Sequence, residues 1–98
     1  MISNTHTEKF HIAASHPALP GHFPGQPVVP GVVLLDRVAA AIERIRDARV
    51  CGFPQVKFRR PLLPGQDAEL ALEFSGSVQF RISVDSQLLA SGSVEIAV

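Results

Sequence analysis

Two residues in the first third of the chain have side chains suited to proton transfer. His22 lies within the stretch HPALPGHFPGQPVVPG (residues 16–31), and Asp36 follows His22 by fourteen positions. An unperturbed imidazole titrates near neutral pH, so His22 could remove a proton, and the carboxyl group of Asp36 could donate one. A base and an acid held on a rigid frame could drive an elimination. The competing interpretation is structural: His22 caps a turn, and Asp36 accepts a hydrogen bond.

The stretch around His22 favours a rigid, irregular segment. Five of its sixteen residues are proline and three are glycine, a composition that fits neither a strand nor a helix. Proline restricts φ and glycine allows tight turns, so the segment could hold His22 in one orientation. Long loops are uncommon in compact domains and tend to be functional. The sequence therefore predicts a functional loop that ends where a helix begins.

That helix is predicted over residues 31–48, with Pro30 in a first-turn position where its missing N–H costs nothing. Residues 32–35 are apolar all round, which is typical of a buried segment, and the later turns become amphipathic. On this pattern Asp36 lies in the buried half of the helix, where its carboxyl group must be protonated, hydrogen-bonded or paired. The unpaired N–H groups of the first turn could stabilise negative charge that develops on a substrate.

The rest of the chain has the pattern of antiparallel strands. Strands are predicted over residues 8–14, 50–60, 67–74, 78–84 and 88–98, with bulges at Gly52 and Pro54. The residues predicted to face inward are Phe10, Ile12, Ala14, Ala68, Leu70, Leu72, Phe74, Val78, Phe80, Ile82, Val84, Leu88, Ala90, Val94 and Ile96. One apolar helix and five strands predict an α+β domain in which the sheet curls around the helix.

Length and composition restrict the class of protein. The chain has 98 residues, which predicts a single domain over residues 1–98, and a second subunit would help to complete so small a core. Nine basic and nine acidic residues balance, which argues against non-specific nucleic-acid binding. The sequence shows no signal-peptide pattern and no apolar run long enough for a membrane span. With Cys51 as the single cysteine, these features predict a cytoplasmic protein.

The stretch GHFPGQPVVPGVVLLD (residues 21–36) resembles the active-site segment of the β-hydroxyacyl-acyl carrier protein dehydratases, which have the hotdog fold. The pattern of that family is approximately GHFPG, two or three residues, PG, and an acidic residue five positions after that glycine. A second stretch, KFRRPLLPGQD (residues 57–67), is similar to the strand and turn that follow the helix in this family. Asp36 stands where the most common members carry Glu. Asp is instead found in the dehydratase/isomerase branch and in small dehydratases of aryl-polyene-type pathways.

The resemblance implies a hydro-lyase that converts a 3-hydroxyacyl thioester on acyl carrier protein into a trans-2-enoyl thioester, in fatty acid, polyketide or aryl polyene biosynthesis. His22 would remove the C2 proton, Asp36 would protonate the departing 3-hydroxyl, and the Gly31 N–H would hold the thioester carbonyl. The resemblance also implies a site at a dimer interface, with the histidine from one subunit and the acid from the other. The phosphopantetheine arm of the carrier protein brings the substrate, so no cofactor of the enzyme itself is expected.

Further residues are expected near the substrate: Phe23, Pro30, Val32, Lys57, Arg59 and Arg60. Phe23 either packs under the loop or lines the acyl tunnel. The three basic residues could contact the acidic carrier protein or the phosphate of its arm, although alternating charges on a solvated strand would give the same pattern. His6 and His11 have no acidic or cysteine partners at metal-binding spacing, so no metal site is predicted.

Two other functions stay open at this point. A hotdog thioesterase would hydrolyse the thioester, but such enzymes usually lack a loop with a GHFPG histidine. A non-catalytic subunit would complete a heterodimer with a longer relative, and the short chain with Asp in place of Glu keeps this alternative open. A homodimer, a higher oligomer and a heterodimer all fit the pattern.

Overall fold

The computed structural model describes residues 4–13 and 28–97. Within these residues, the helix α1 (Gly31–Arg46) packs against five strands: β1 (Thr5–Phe10), β2 (Arg49–Phe58), β3 (Ala68–Glu73), β4 (Val78–Val84) and β5 (Gln87–Ala97). The strands form one antiparallel sheet in the order β1-β3-β4-β5-β2, with β1 and β2 at its edges. This arrangement confirms the predicted α+β fold. The prediction of a single domain over residues 1–98 stays a prediction.

The hydrophobic core lies between one side of α1 and the inner face of the sheet. The buried residues of α1 are Val33, Leu34, Val38, Ala41 and Ile42, and those of β3 and β4 are Ala68, Leu70, Leu72, Val78, Phe80 and Ile82. Every second residue of β3 and of the first part of β4 is buried, because successive side chains of a strand point to opposite faces. The predicted inward-facing residues of these two strands are confirmed, although Phe74 and Val84 at the strand ends are only half-buried.

Only one side of α1 meets the sheet, and this holds for the first turn of the helix as well. Val32 is 65% exposed and Leu35 is half-buried, so the prediction of an all-round buried segment over residues 32–35 is wrong. The helix also ends earlier than predicted. Asp47 adopts the left-handed conformation with φ 52°, and its N–H donates to the Glu43 carbonyl at 3.1 Å. This cap stops the helix at Arg46.

A bulge between β4 and β5 decides which leucine of β5 is buried. Ile82 lies opposite Ala90, but Ser83 lies opposite Leu88, so Leu89 is an additional residue in β5. Leu89 is 4% exposed, whereas Leu88 is half-buried. The sequence prediction placed Leu88 at the inward position, which is wrong because the alternation changes phase at the bulge.

The edge strand β2 is irregular, as predicted. Its register with β5 shifts between Val50 and Gly52 and again between Gly52 and Gln55, which confirms the bulges expected around Gly52 and Pro54. At this irregular region β5 approaches β2 closely. A Cβ atom at Gly92 would lie 2.2 Å from the Gln55 carbonyl oxygen, so position 92 requires glycine.

The edge strand β1 lies earlier in the sequence than predicted. It covers Thr5–Phe10 rather than residues 8–14: residues 11–13 leave the sheet, and Ala14 lies outside the described residues. Glu8 links β1 to α1, because its carboxylate is within hydrogen-bond distance of the Arg44 guanidinium and lies 2.8 Å from Nε2 of His6. In the described part of the chain, no helix has the length and hydropathy of a membrane span.

Candidate active site

The segment that follows β2 holds the start of α1. The Val29 N–H donates to the Leu62 carbonyl at 2.8 Å, and both residues are buried. Pro30 precedes the helix with φ −59° and ψ 144°, an extended conformation, so it lies just before the first turn rather than within it. The Val33 N–H donates to the Pro30 carbonyl at 3.0 Å. The end of the proline-rich loop is therefore fixed in place where the helix begins.

The two arginines after β2 have an anchored backbone. The Arg59 and Arg60 N–H groups both donate to the Leu89 carbonyl, at 2.7 Å and 3.2 Å. Leu89 is the bulged residue of β5, and the bulge leaves its carbonyl free to accept these bonds. Both arginine side chains are exposed, so they extend into solvent from a fixed backbone position.

A cavity of about 370 Å³ opens beside Gly31 at the start of α1. The described residues that line it are Val29, Gly31, Leu34, Phe58, Arg59, Arg60, Pro61 and Leu62. The floor is apolar, because it is formed by the buried side chains of Val29, Leu34 and Leu62. Arg59 and Arg60 also line the cavity, and the positive end of the helix dipole lies beside it at Gly31. The cavity can therefore hold an apolar chain together with a carbonyl or anionic oxygen.

Three of the residues predicted to act on the substrate meet at this cavity: Gly31, Arg59 and Arg60. Lys57 is not among the residues that line this cavity. Together with Arg59 and Arg81, it lines a groove of about 570 Å³ across the sheet. Pro30 is half-buried and Val32 is exposed, and neither belongs to the lining of the smaller cavity.

Asp36 is exposed in the single chain, so the predicted burial of its carboxyl group is wrong. The physical reason is the stripe along which α1 meets the sheet. Val33 and Leu34 are buried, whereas Asp36 follows exposed Val32 by one turn on the outer side of the helix. His22 and Phe23, the other two predicted residues, lie outside the described residues.

Sequence reasoning did not assign Val29, Leu34, Phe58, Pro61 or Leu62 to the site, and among these Phe58 is a large exposed apolar residue. It is 52% exposed, and its ring lies directly against Gly31. The signal that could have found it is the alternation of β2, which puts half-buried Val56 and Phe58 on the same side of the strand. A large apolar residue between basic neighbours, on the side that faces the helix, is a candidate wall of a binding site.

Metal ligands were not predicted at this site. Within residues 4–13 and 28–97, no group of three or more His, Cys, Asp or Glu side chains is close enough to hold a metal ion. The absence of a metal in the function of the whole chain stays a prediction, since His16 and His22 lie outside these residues.

Sequence comparison relates the chain to known dehydratases. A sequence model of the ApeI-like family, described as ApeI dehydratase, matches residues 2–93. The 3-hydroxyacyl-(acyl-carrier-protein) dehydratase FabZ of Chlamydia trachomatis serovar L2 is 33% identical over 101 aligned residues, which cover 86% of this chain and 66% of that protein. FabZ of Thermomicrobium roseum is 30% identical over 102 residues, covering 89% and 68%. The chain thus spans about two thirds of the length of these relatives.

Structure comparison gives the same architecture. A chain of the dehydratase heterocomplex ApeI:P from Xenorhabdus doucetiae matches with a TM-score of 0.85 at 23% identity, covering 97% of this chain and 88% of that one. The likeness shows the hotdog fold, a sheet wrapped around one central helix. With the family match over residues 2–93, the chain belongs to the ApeI-like dehydratases, a hotdog-fold family of the 3-hydroxyacyl-acyl carrier protein dehydratase type.

Proposed function

We propose that the chain dehydrates a 3-hydroxyacyl thioester on acyl carrier protein to the trans-2-enoyl thioester. The observation that carries this proposal is the cavity beside Gly31, which combines a buried apolar floor, two arginines and a helix N-terminus. An acyl chain fits the floor, and a thioester carbonyl fits the N–H groups of the first turn. The family membership supplies the class of reaction.

In the proposed reaction, His22 removes the C2 proton of the substrate. The electron pair of the broken C2–H bond forms the C2=C3 double bond, and the C3–O bond breaks. The carboxyl group of Asp36 donates its proton to the departing hydroxyl, which leaves as water. Return of the proton from His22 to Asp36 restores the starting state. The Gly31 N–H stabilises the negative charge that develops on the thioester oxygen.

A second subunit completes the proposed site. Val32 is 65% exposed and shares the outer side of α1 with Asp36. Coverage of the exposed Val32 side chain by a partner would be favourable, because it removes apolar surface from water. In a symmetric dimer, Asp36 of one subunit would face His22 of the partner subunit, and the carboxyl group would then be sheltered from water. The burial expected from the sequence would thus arise only on assembly.

The basic residues supply the proposed contact with the carrier protein. Arg59 and Arg60 line the cavity with backbones anchored on β5, so they suit the phosphate of the phosphopantetheine arm. Lys57 lies in the groove across the sheet and suits acidic side chains of the carrier protein itself. We propose no cofactor of the enzyme, and a cytoplasmic role in fatty acid or aryl polyene synthesis.

One alternative keeps a specific observation in its favour. The chain could instead serve as one half of a heterodimer whose other half carries the working site. The solved relative from Xenorhabdus doucetiae is itself part of a heterocomplex. In this alternative the chain shows dehydration only when a related hotdog subunit is present.

The test follows two products from a 3-hydroxyacyl-acyl carrier protein incubated with the purified chain. We expect an enoyl thioester, seen by its ultraviolet absorbance and by mass spectrometry, and no free thiol. His22→Ala and Asp36→Asn should each lower the rate by at least about a hundredfold, the usual contribution of a positioned acid or base. Free thiol without enoyl product would instead show a thioesterase, and activity that requires a partner chain would show the heterodimer.

Two matched variants control for general damage. His11→Ala removes an exposed histidine, and Asp85→Asn removes the charge of an exposed carboxylate in the turn between β4 and β5. Asparagine accepts the positive φ of 49° that Asp85 adopts in this turn. Both should keep the rate of the natural chain. Full dehydration by His22→Ala would refute the proposed mechanism.

A further inference from the structure

The ring of Phe58 restricts which residue can stand at position 31. A Cβ atom built on Gly31 would lie 2.7 Å from Cζ of Phe58, and 3.1 Å and 3.2 Å from its Cε1 and Cε2 atoms. Separations below 3.0 Å are essentially never seen for real Cβ atoms. The far edge of the ring therefore occupies the space that any side chain at position 31 would need.

Backbone conformation does not demand glycine at position 31. The glycines with positive φ in the described residues are Gly65 and Gly76, whereas Gly31 is the first residue of α1. Every L-residue accepts the helical conformation, and glycine is among the least favourable residues there. A side chain at position 31 is therefore opposed by the Phe58 ring, which would have to shift to admit it, and not by the backbone conformation.

The position of the ring is unusual for an apolar side chain. Phe58 is 52% exposed, although it borders a cavity whose floor residues Val29, Leu34 and Leu62 are buried. Covering an exposed aromatic ring with an apolar group is favourable. The ring therefore offers a surface to a ligand at the mouth of the cavity, directly beside the helix N–H groups.

We propose that Phe58 positions the substrate: its ring forms a wall at the start of α1 that holds the acyl thioester with its carbonyl against the Gly31 N–H. This inference rests on the proposed function and adds the residue that limits the width of the site at the thioester. Glycine at position 31 and phenylalanine at position 58 act as one unit. A methyl group at position 31 would push the ring away from the helix, and loss of the ring would leave the thioester loosely held.

The test compares Phe58→Ala, Gly31→Ala and the double variant, with Leu63→Ala as the control. Leu63 is the matched control because it is also a large exposed apolar residue, at 44%, and lies outside the cavity lining. For a 3-hydroxyacyl N-acetylcysteamine thioester, Phe58→Ala should raise KM about tenfold, the value of one buried aromatic contact, with a smaller effect on kcat. Phe58→Tyr, which keeps the ring, should retain the natural KM.

The double variant tests whether the two residues act together. Gly31→Ala should raise KM because its methyl group displaces the ring, so in the double variant KM should be no higher than in Phe58→Ala alone. Effects that multiply in the double variant would overturn the inference. So would a KM for Phe58→Ala that matches that of Leu63→Ala. If Phe58→Ala does not fold, as judged by circular dichroism, Phe58→Leu takes its place.

A binding measurement separates this inference from the proposed function. The Gly31 amide resonance of the isotopically labelled full chain is followed while a trans-2-enoyl thioester is added. We expect it to shift in the natural chain and to need about tenfold more ligand in Phe58→Ala. If the natural chain binds in this way but does not dehydrate, the function is wrong and the inference stands. If Phe58→Ala binds like the natural chain, or if neither binds, the inference is wrong.

Discussion

Replacement of Gly92 in β5 by alanine should destabilise the fold more than the same replacement of Gly52, the glycine of the neighbouring strand β2. A Cβ atom at position 92 would lie 2.2 Å from the Gln55 carbonyl oxygen and 3.0 Å from the Val56 Cα. These are backbone atoms of the neighbouring strand, so they cannot rotate away. The same Cβ atom would lie 2.9 Å from Cε1 of Phe80, a ring that is 1% exposed. β2 must therefore move away from β5 for the variant to fold.

The expected cost follows from two contributions. Overpacking a filled core costs about 1–3 kcal/mol. Displacing β2 also weakens hydrogen bonds of the β2–β5 pairing around Val56, each worth about 1 kcal/mol. Replacing glycine restricts the unfolded chain and returns about 0.4–1 kcal/mol. We expect a net loss of about 2–3 kcal/mol, which for a domain of this size lowers Tm by about 10 °C or more.

Thermal unfolding followed by circular dichroism measures this loss, with all variants at one protein concentration because association affects Tm. Gly52→Ala is the matched control. It lies in β2, opposite β5, its φ is not positive, and no atom of the described residues lies within 4 Å of the added Cβ position. This variant should keep its Tm within about 4 °C of the natural chain. Equal Tm values for Gly92→Ala and Gly52→Ala would refute the close approach of β2 and β5.

Three further predictions concern the core, an ion pair and the outer side of α1. Leu70→Ala, at a residue that is 0% exposed, should cost about 2–5 kcal/mol in urea unfolding, and a loss below 1 kcal/mol would contradict the described core. The second prediction concerns Glu8. Partial burial acts to raise the pKa of its carboxyl group, but the hydrogen bond from His6 and the charge of Arg44 outweigh this effect and hold the pKa below its usual value. Because the pKa of Glu8 is lower in the folded than in the unfolded chain, its ionised carboxylate stabilises the fold at pH values above the unfolded-state pKa, which is about 4. This stabilisation is lost as the pH falls through the folded-state pKa. Glu8→Gln should therefore lower Tm at pH 7 by a few degrees, from a loss of about 1 kcal/mol or less, and the difference should vanish near pH 2; a difference that grows on acidification would contradict this. Val32→Glu should shift the chain towards monomer in sedimentation velocity, because a charge enters the side of α1 proposed to meet a partner, whereas Leu63→Glu should not. Identical sedimentation of the two variants would contradict this choice of surface.

The sequence predicts the centre of the sheet well, for a physical reason. β3 and β4 alternate strictly, and each pairs with its neighbour in sequence, so local periodicity alone determines which residues face the core. The same rule fails in β5, where Leu89 rather than Leu88 is buried. A bulge inserts one residue according to the pairing with β4, and that pairing is not visible in the periodicity of β5 itself.

At the site, the limits of sequence reasoning lie in contacts between distant residues. An apolar run such as residues 32–35 does not show which side of the helix will meet the sheet, so the exposure of Val32 and Asp36 could not be predicted. The alternation of β2 places Phe58 on the side of the strand that faces the helix, but it does not show which helix residue the ring meets. Only the fold brings its ring against Gly31 and gives both residues a shared role.

The central claim is that His22 and Asp36 dehydrate the substrate at a site shared between two subunits. Mixing two inactive variants, His22→Ala and Asp36→Asn, after unfolding and refolding them together tests it most directly. A mixed dimer contains one site with both natural side chains, so random assortment should restore roughly a quarter of the natural activity. Restored enoyl formation in the mixture, with neither variant active alone, is the predicted result. A mixture as inactive as its components would contradict the account.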